Sequence, residues 1–180
     1  KERVYQINPT SATQKVVFDR NYEDGYNDPG NVITIPNAYG RSVILINKDN
    51  TVYLSGVGSS SEGDLPFLDK MDLNTCKKTK LWRCQAPYYE SVVTLLDPKK
   101  GTFVTSRESN TENPNYYLRT TGSTKLAQLT NFAHPYPQIK DVKKQVLKDK
   151  RADGMELTAD LYLPQGYKKE DGPLPGLVWA

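Results

Sequence analysis

Phe67-Leu68-Asp69-Lys70-Met71-Asp72-Leu73-Asn74-Thr75, followed by Lys80-Leu81-Trp82, is the stretch that decides the architecture. An apolar burst, a turn built from Asp, Asn and Thr, and a second apolar burst describe a β-hairpin. The same arrangement stands upstream in Val4-Tyr5-Gln6-Ile7-Asn8-Pro9-Thr10-Ser11 with Val16-Val17-Phe18. Downstream it stands in Tyr116-Tyr117-Leu118-Arg119-Thr120-Thr121-Gly122 with Gln128-Leu129-Thr130. Units of roughly 40–50 residues with four strands each are the pattern of β-propeller blades. The repeated hairpin would be the outer pair of strands of each blade. Two blades and the outer part of a third account for Arg3 to Phe132. A β-sandwich with coincidental hairpins is the alternative.

Outward from that repeat, the other apolar bursts are as short. Strands are expected at Val4–Asn8, Lys15–Asp19, Phe67–Asp72 and Tyr116–Thr120 within the repeat, and at Val32–Pro36, Ser42–Asn47, Thr51–Val57, Thr79–Arg83, Glu90–Leu96, Thr102–Ser106 and Ala127–Thr130. Asp28-Pro29-Gly30, Lys48-Asp49-Asn50 and Asp97-Pro98-Lys99-Lys100-Gly101 punctuate them as turns. Twelve Tyr against two Met suit pleated, half-buried surfaces, and no stretch reads as a long helix. The length, 180 residues, allows one domain or parts of two. No apolar run approaches the ~20 residues of a helical membrane span, and Lys1-Glu2-Arg3-Val4-Tyr5 carries no signal-peptide core. The formal charge of +3 is too small and too dispersed for a nucleic-acid surface. Neither a nucleic-acid nor a membrane partner is expected. Cys76 and Cys84 are expected to be free thiols, because an extended segment between them spans up to ~26 Å against the ~4.4–6.8 Å of a disulfide.

Composition changes after Phe132. Ala133-His134-Pro135-Tyr136-Pro137 reads as a rigid linker. The basic run Lys140 to Arg151 reads as a solvated strand or turn face, since Asp141 and Asp149 interrupt it and no aromatic platform accompanies it. Arg151 to Glu156 is a hairpin turn with Asp-Gly at its tip. Leu157–Pro164 alternates as a strand, and Leu174–Ala180 is expected to begin a further apolar strand at which the chain stops, as in a truncated protein.

Leu129-Thr130-Asn131-Phe132-Ala133-His134-Pro135-Tyr136-Pro137-Gln138, Arg151-Ala152-Asp153-Gly154, Leu157-Thr158-Ala159-Asp160-Leu161-Tyr162-Leu163-Pro164 and Asp171–Trp179 together resemble the join between propeller and hydrolase in prolyl oligopeptidase-family serine peptidases. Tyr88–Val93 and Ser106–Asn113 extend the likeness, which is greatest to the glutamyl endopeptidase branch. The resemblance implies an all-β segment. Residues 1–136 would be the C-terminal blades of a partial propeller, about two and a half four-stranded antiparallel blades. Residues 137–180 would be the linker and first strands of a truncated α/β-hydrolase domain. It further implies a parent that hydrolyses peptide bonds by a Ser-His-Asp mechanism located downstream. The segment itself would be an inactive lid that gates peptide access. A stand-alone propeller-like binding module for peptide or glycan is the alternative.

No catalytic, cofactor or metal residue is assigned in this chain. Gly56-Val57-Gly58-Ser59-Ser60-Ser61-Glu62-Gly63 has the wrong spacing for a nucleophile elbow. His134 sits in a linker with no nucleophile beside it in sequence, and Cys76, Cys84 and His134 lack zinc spacing. Glu23-Asp24-Gly25-Tyr26-Asn27-Asp28-Pro29-Gly30 departs from a Ca²⁺-loop order and suits a turn. Arg107, Glu108 and Glu112, with Arg119 or Lys125, either steer an acidic peptide side chain, as the resemblance places them, or serve as rim and ion-pair residues. The expected partners are the parent's peptide substrate, the remainder of its own chain, and other copies through open sheet edges. The parent's compartment, periplasmic or cytoplasmic, stays open.

Overall fold

The structure, a computed structural model, describes residues 1–61, 63–139 and 142–179. Glu62 of the glycine-serine stretch, Lys140 and Asp141 of the basic run, and Ala180 lie outside the described residues. The chain is all-β with antiparallel sheets, and it divides into two compact units. One comprises Lys1–Ser109 with Asn113–Phe132; the other comprises Ala133–Ala180 with Asn110–Glu112.

In the first unit a hairpin, Glu2–Ile7 with Gln14–Arg20, precedes two four-stranded sheets. The first sheet runs Asn31–Val32, Thr51–Gly56, Phe67–Asp72, Lys78–Arg83, and the second runs Tyr89–Asp97, Thr102–Glu108, Asn115–Thr120, Ala127–Gln128. In both sheets spatial order follows chain order, so each is a meander. The three hairpins expected from the repeat all form, and two of them are the last two strands of the two sheets.

Side chains alternate across a strand, and in the first sheet both faces are covered. Val52, Leu54, Phe67 and Met71 face one way and pack with Val17, Phe18 and Val32. Tyr53 and Leu68 face the other way and pack with Leu95, Phe103, Leu81, Trp82 and Val92. The middle layer is thus buried on both sides, which is why Thr51-Val52-Tyr53-Leu54 is a continuous buried run without polar alternation. The far face of the second sheet is different: Val93, Leu96 and Tyr116 stand exposed.

One turn design recurs. The side-chain oxygen of Asn8 accepts the N–H groups of Thr10 and Ser11 at 2.9 and 3.2 Å. Asp72 accepts those of Asn74 and Thr75 at 2.7 and 2.9 Å, and Asp97 those of Lys99 and Lys100 at 2.9 and 3.1 Å. These bonds hold both carboxyls below the usual Asp range, the Thr75 N–H contributing most at Asp72 and the Lys100 N–H most at Asp97. The residue after each pair is left-handed: Ala12 at φ 54°, Cys76 at 56° and Gly101 at 65°. Only glycine is relaxed there. Cys76→Gly is therefore expected to stabilise the chain by about 1 kcal/mol, read as a higher urea midpoint at unchanged slope. A lower midpoint would show that the Cys76 side chain holds the turn in place.

Four strand expectations need correction. Ser42–Asn47 shortens to Ser42–Ile44, after which the Leu45 N–H bonds the Ile33 carbonyl at 3.2 Å. Val32–Pro36 is two strands, because Ile33 hands the chain from one partner to another: Asn31–Val32 pairs with Thr51–Gly56, and Thr34–Pro36 with Ser42–Ile44. Ala127–Thr130 shortens to Ala127–Gln128, since the Thr130 hydroxyl turns inward to the Asn115 side chain at 3.0 Å. Among the described residues of Leu174–Ala180 no strand forms. Pro175 donates no ladder bond, and Leu177, Val178 and Trp179 are more than 90% exposed.

In the second unit Lys143–Lys150 pairs with Glu156–Leu163 across the expected Asp-Gly turn. The Arg151 guanidinium grips Asp153 at its tip, and Gly154 has φ 91°. The basic run is therefore mainly strand. Register puts Leu147, Leu157, Ala159, Leu161 and Leu163 on one face of this hairpin. Lys144, Val146, Lys148, Thr158, Asp160 and Tyr162 lie on the other, where Lys144 and Asp160 pair at 2.9 Å.

Candidate functional site

A cavity rich in functional groups lies between the two four-stranded sheets. It has a volume of about 410 Å³, and its wall includes Trp82, Tyr88, Glu90, Arg107, Arg119 and Ser123. Register explains how the sequence fills it. Glu90 stands opposite Arg107, which stands opposite Asn115, and Phe103 stands opposite Arg119. All of these point from the second sheet toward the first.

Glu90, with its side chain 4% exposed, is the electrostatic centre. Its carboxylate accepts Arg119 Nε at 2.6 Å and Nη2 at 2.7 Å, a two-toothed pair, and the Thr105 hydroxyl at 2.5 Å. Arg119 also lies over the Trp82 ring at 5.6 Å. In the first sheet Arg83 makes an equivalent fork onto buried Asp69 at 2.5 and 3.0 Å. Arg107 is held differently. Its guanidinium lies 3.3 Å from the Tyr88 ring centroid and 5.2 Å from that of Tyr117. Among the described residues no carboxylate forms an ion pair with it.

Cys84 closes the base of the connection into the second sheet. Its thiol donates to the Tyr88 carbonyl at 3.0 Å and accepts the Glu90 N–H at 3.1 Å. Burial pushes its pKa up, so it is a structural thiol rather than a nucleophile. Asn115 fastens the other end of the sheet: its side-chain oxygen accepts the Phe132 N–H at 2.7 Å and the Thr130 hydroxyl at 3.0 Å.

The residues weighed from sequence fall in separate places. Arg107 and Arg119 come together in the cavity, and Glu90, which spacing alone did not single out, is what joins Arg119 to the sheet. Lys125 is not part of the wall; its N–H donates to Ser123 Oγ at 3.2 Å. Glu108 ends its strand opposite Tyr89. Glu112 belongs to the short segment grouped with the second unit. His134 Nδ1 accepts the Tyr136 N–H at 3.1 Å, a local turn contact. The Gly56–Gly63 stretch passes from strand to strand through a small hairpin, Ser59–Ser60 with Gly63–Asp64. Asp24 caps the short helical turn Gly25–Asn27 by accepting from Asn27, and Asp28 divides between the Gly30 N–H and Arg20. Cys76 and Cys84 are both free, as expected.

No family model matches the chain. Among curated proteins, the chain is 42% identical over 196 aligned residues to a probable chloroplastic glutamyl endopeptidase of Oryza sativa subsp. japonica. It is 41% identical over 197 to the protein of the same name from Arabidopsis thaliana. Both alignments take in the whole of this chain, which spans about a fifth of each relative's length (21% and 20%).

Proposed function

We propose, from a chain that is related along its whole length to glutamyl endopeptidases, that it forms part of the lid of a serine peptidase. The sheets of the first unit are read as propeller blades, and the hairpin of the second unit as the entry into an α/β-hydrolase domain. The parent protein cleaves peptide bonds by acyl transfer through a Ser-His-Asp set carried elsewhere in its sequence. This segment restricts access to that set.

The relationship of the whole chain to about a fifth of each peptidase (21% and 20%) carries the reading. The layering supports it: consecutive four-stranded meanders stacked face to face are how blades pack. The leading two-stranded hairpin corresponds to the outer pair of a preceding blade. The apolar far face of the second sheet suits a further layer. Open sheet edges also make the 180-residue chain prone to pair with other copies.

The test assays the full-length parent and the 180-residue chain side by side on internally quenched peptides containing Glu, Pro or Ala. The parent is expected to cleave, with loss of activity on treatment with a serine-directed fluorophosphonate, and the short chain is expected to be inert. A parent without hydrolysis, or a short chain that cleaves, would overturn the proposal.

A further inference from the structure

We infer that the cavity between the two sheets is an oxyanion-binding site centred on Arg107. The inference uses only the cavity's own groups and is independent of the peptidase reading.

Among the described residues, charge matching within the cavity leaves one cation over. Arg83 is committed to Asp69 and Arg119 to Glu90, each through two hydrogen bonds. Arg107 stands directly opposite Glu90 in the ladder, the position from which it could have taken that carboxylate. It does not take it: one Glu90 oxygen serves both Thr105 and Arg119 Nε, and the other serves Arg119 Nη2. Arg107 instead spends its flat face on the Tyr88 ring. Stacking fixes the plane of a guanidinium while leaving the N–H groups at its edge available, the geometry that recognises carboxylate or phosphate in two-toothed fashion.

The surroundings fit a ligand of this type. Gln85, Ser123 and Thr124 bring further polar groups to the wall, and Trp82 and Leu126 bring apolar surface. A volume of about 410 Å³ lies within the ~300–1,000 Å³ of small-molecule sites. Neither of the buried acids in reach repels an incoming anion strongly, since each is already neutralised by its own arginine. The shared chemistry is a small oxyanion, either free or presented on an acidic peptide.

Titration of the 180-residue chain at low ionic strength, followed by the Trp82 indole N–H resonance, tests this. The probes are inorganic phosphate, N-acetylglutamate and sodium chloride at matched ionic strength. A saturable shift with phosphate or N-acetylglutamate, and none with chloride, is expected; which of the two binds tighter separates a free anion from a carboxylate side chain. Arg107→Gln should weaken binding at least tenfold, and Arg107→Lys should recover part of it. Thr124→Val, which leaves the arginine stack intact, should weaken binding a few-fold and serves if Arg107→Gln does not fold. A response identical to that of chloride, or equal binding by wild type, Arg107→Lys and Thr124→Val, would overturn the inference.

Discussion

Glu90→Ala is expected to cost the first unit about 3–5 kcal/mol, because it strands a largely buried Arg119 without its counter-ion. Arg119 is only 16% exposed, so water replaces the two hydrogen bonds it loses poorly. The Thr105 hydroxyl, on a fully buried residue, loses its acceptor as well. The cost is one of leaving charge unpaired rather than a measure of what the pair contributes. Replacing both partners, Glu90→Met with Arg119→Met, should therefore cost far less than Glu90→Ala alone. Urea denaturation followed through near-ultraviolet circular dichroism reads both. A loss below about 1 kcal/mol for Glu90→Ala would mean that Arg119 finds water, and that the pair is a surface feature.

Phe103→Ala is the second large effect, expected at about 3–5 kcal/mol. Phe103 is fully buried and meets Tyr53 and Leu68 of the first sheet, with the Trp82 ring edge-on at 5.6 Å. Removing it opens a void in the contact that holds two sheets together. The damage should therefore appear in both: amides of Thr51–Gly56 and of Thr102–Glu108 should lose exchange protection together. Phe103→Leu, which keeps most of the apolar volume, should cost about 1 kcal/mol. Loss of protection confined to the second sheet would show that the layers are held by something other than this ring.

Much of the strand pattern was legible because its turns carry their own chemistry. Asp72, Asp97 and Asn8 bond the backbone ahead of them, so a polar residue of the right type marks a turn whatever surrounds it. The expected strand Phe67–Asp72 keeps its bounds in the structure, since Pro66 and this Asp72 turn frame it on either side. Strand ends without such a marker were less legible: Ile33 and Thr130 depend on which neighbour their backbone or side chain meets. The strand Lys143–Lys150 was blurred by its lysines, which read as solvated surface and say little about pairing. The cavity was the least legible. Glu90 and Arg119 lie 29 residues apart on strands that are not adjacent in their sheet, and only the packed face brings them together. Arg107 was visible as a candidate, but that no carboxylate among the described residues pairs with it is a property of three-dimensional accounting.

Each four-stranded sheet is drawn from one contiguous stretch of chain, the first with two small hairpins set into its connections. Its pairings are therefore short in sequence separation, and such contacts close faster than distant ones. A layer made this way can be complete soon after its last strand leaves the ribosome, before the segments that follow have been synthesised. Until the next layer arrives, its apolar face lies open to water, so the interval between successive sheets is when a chaperone would have something to hold.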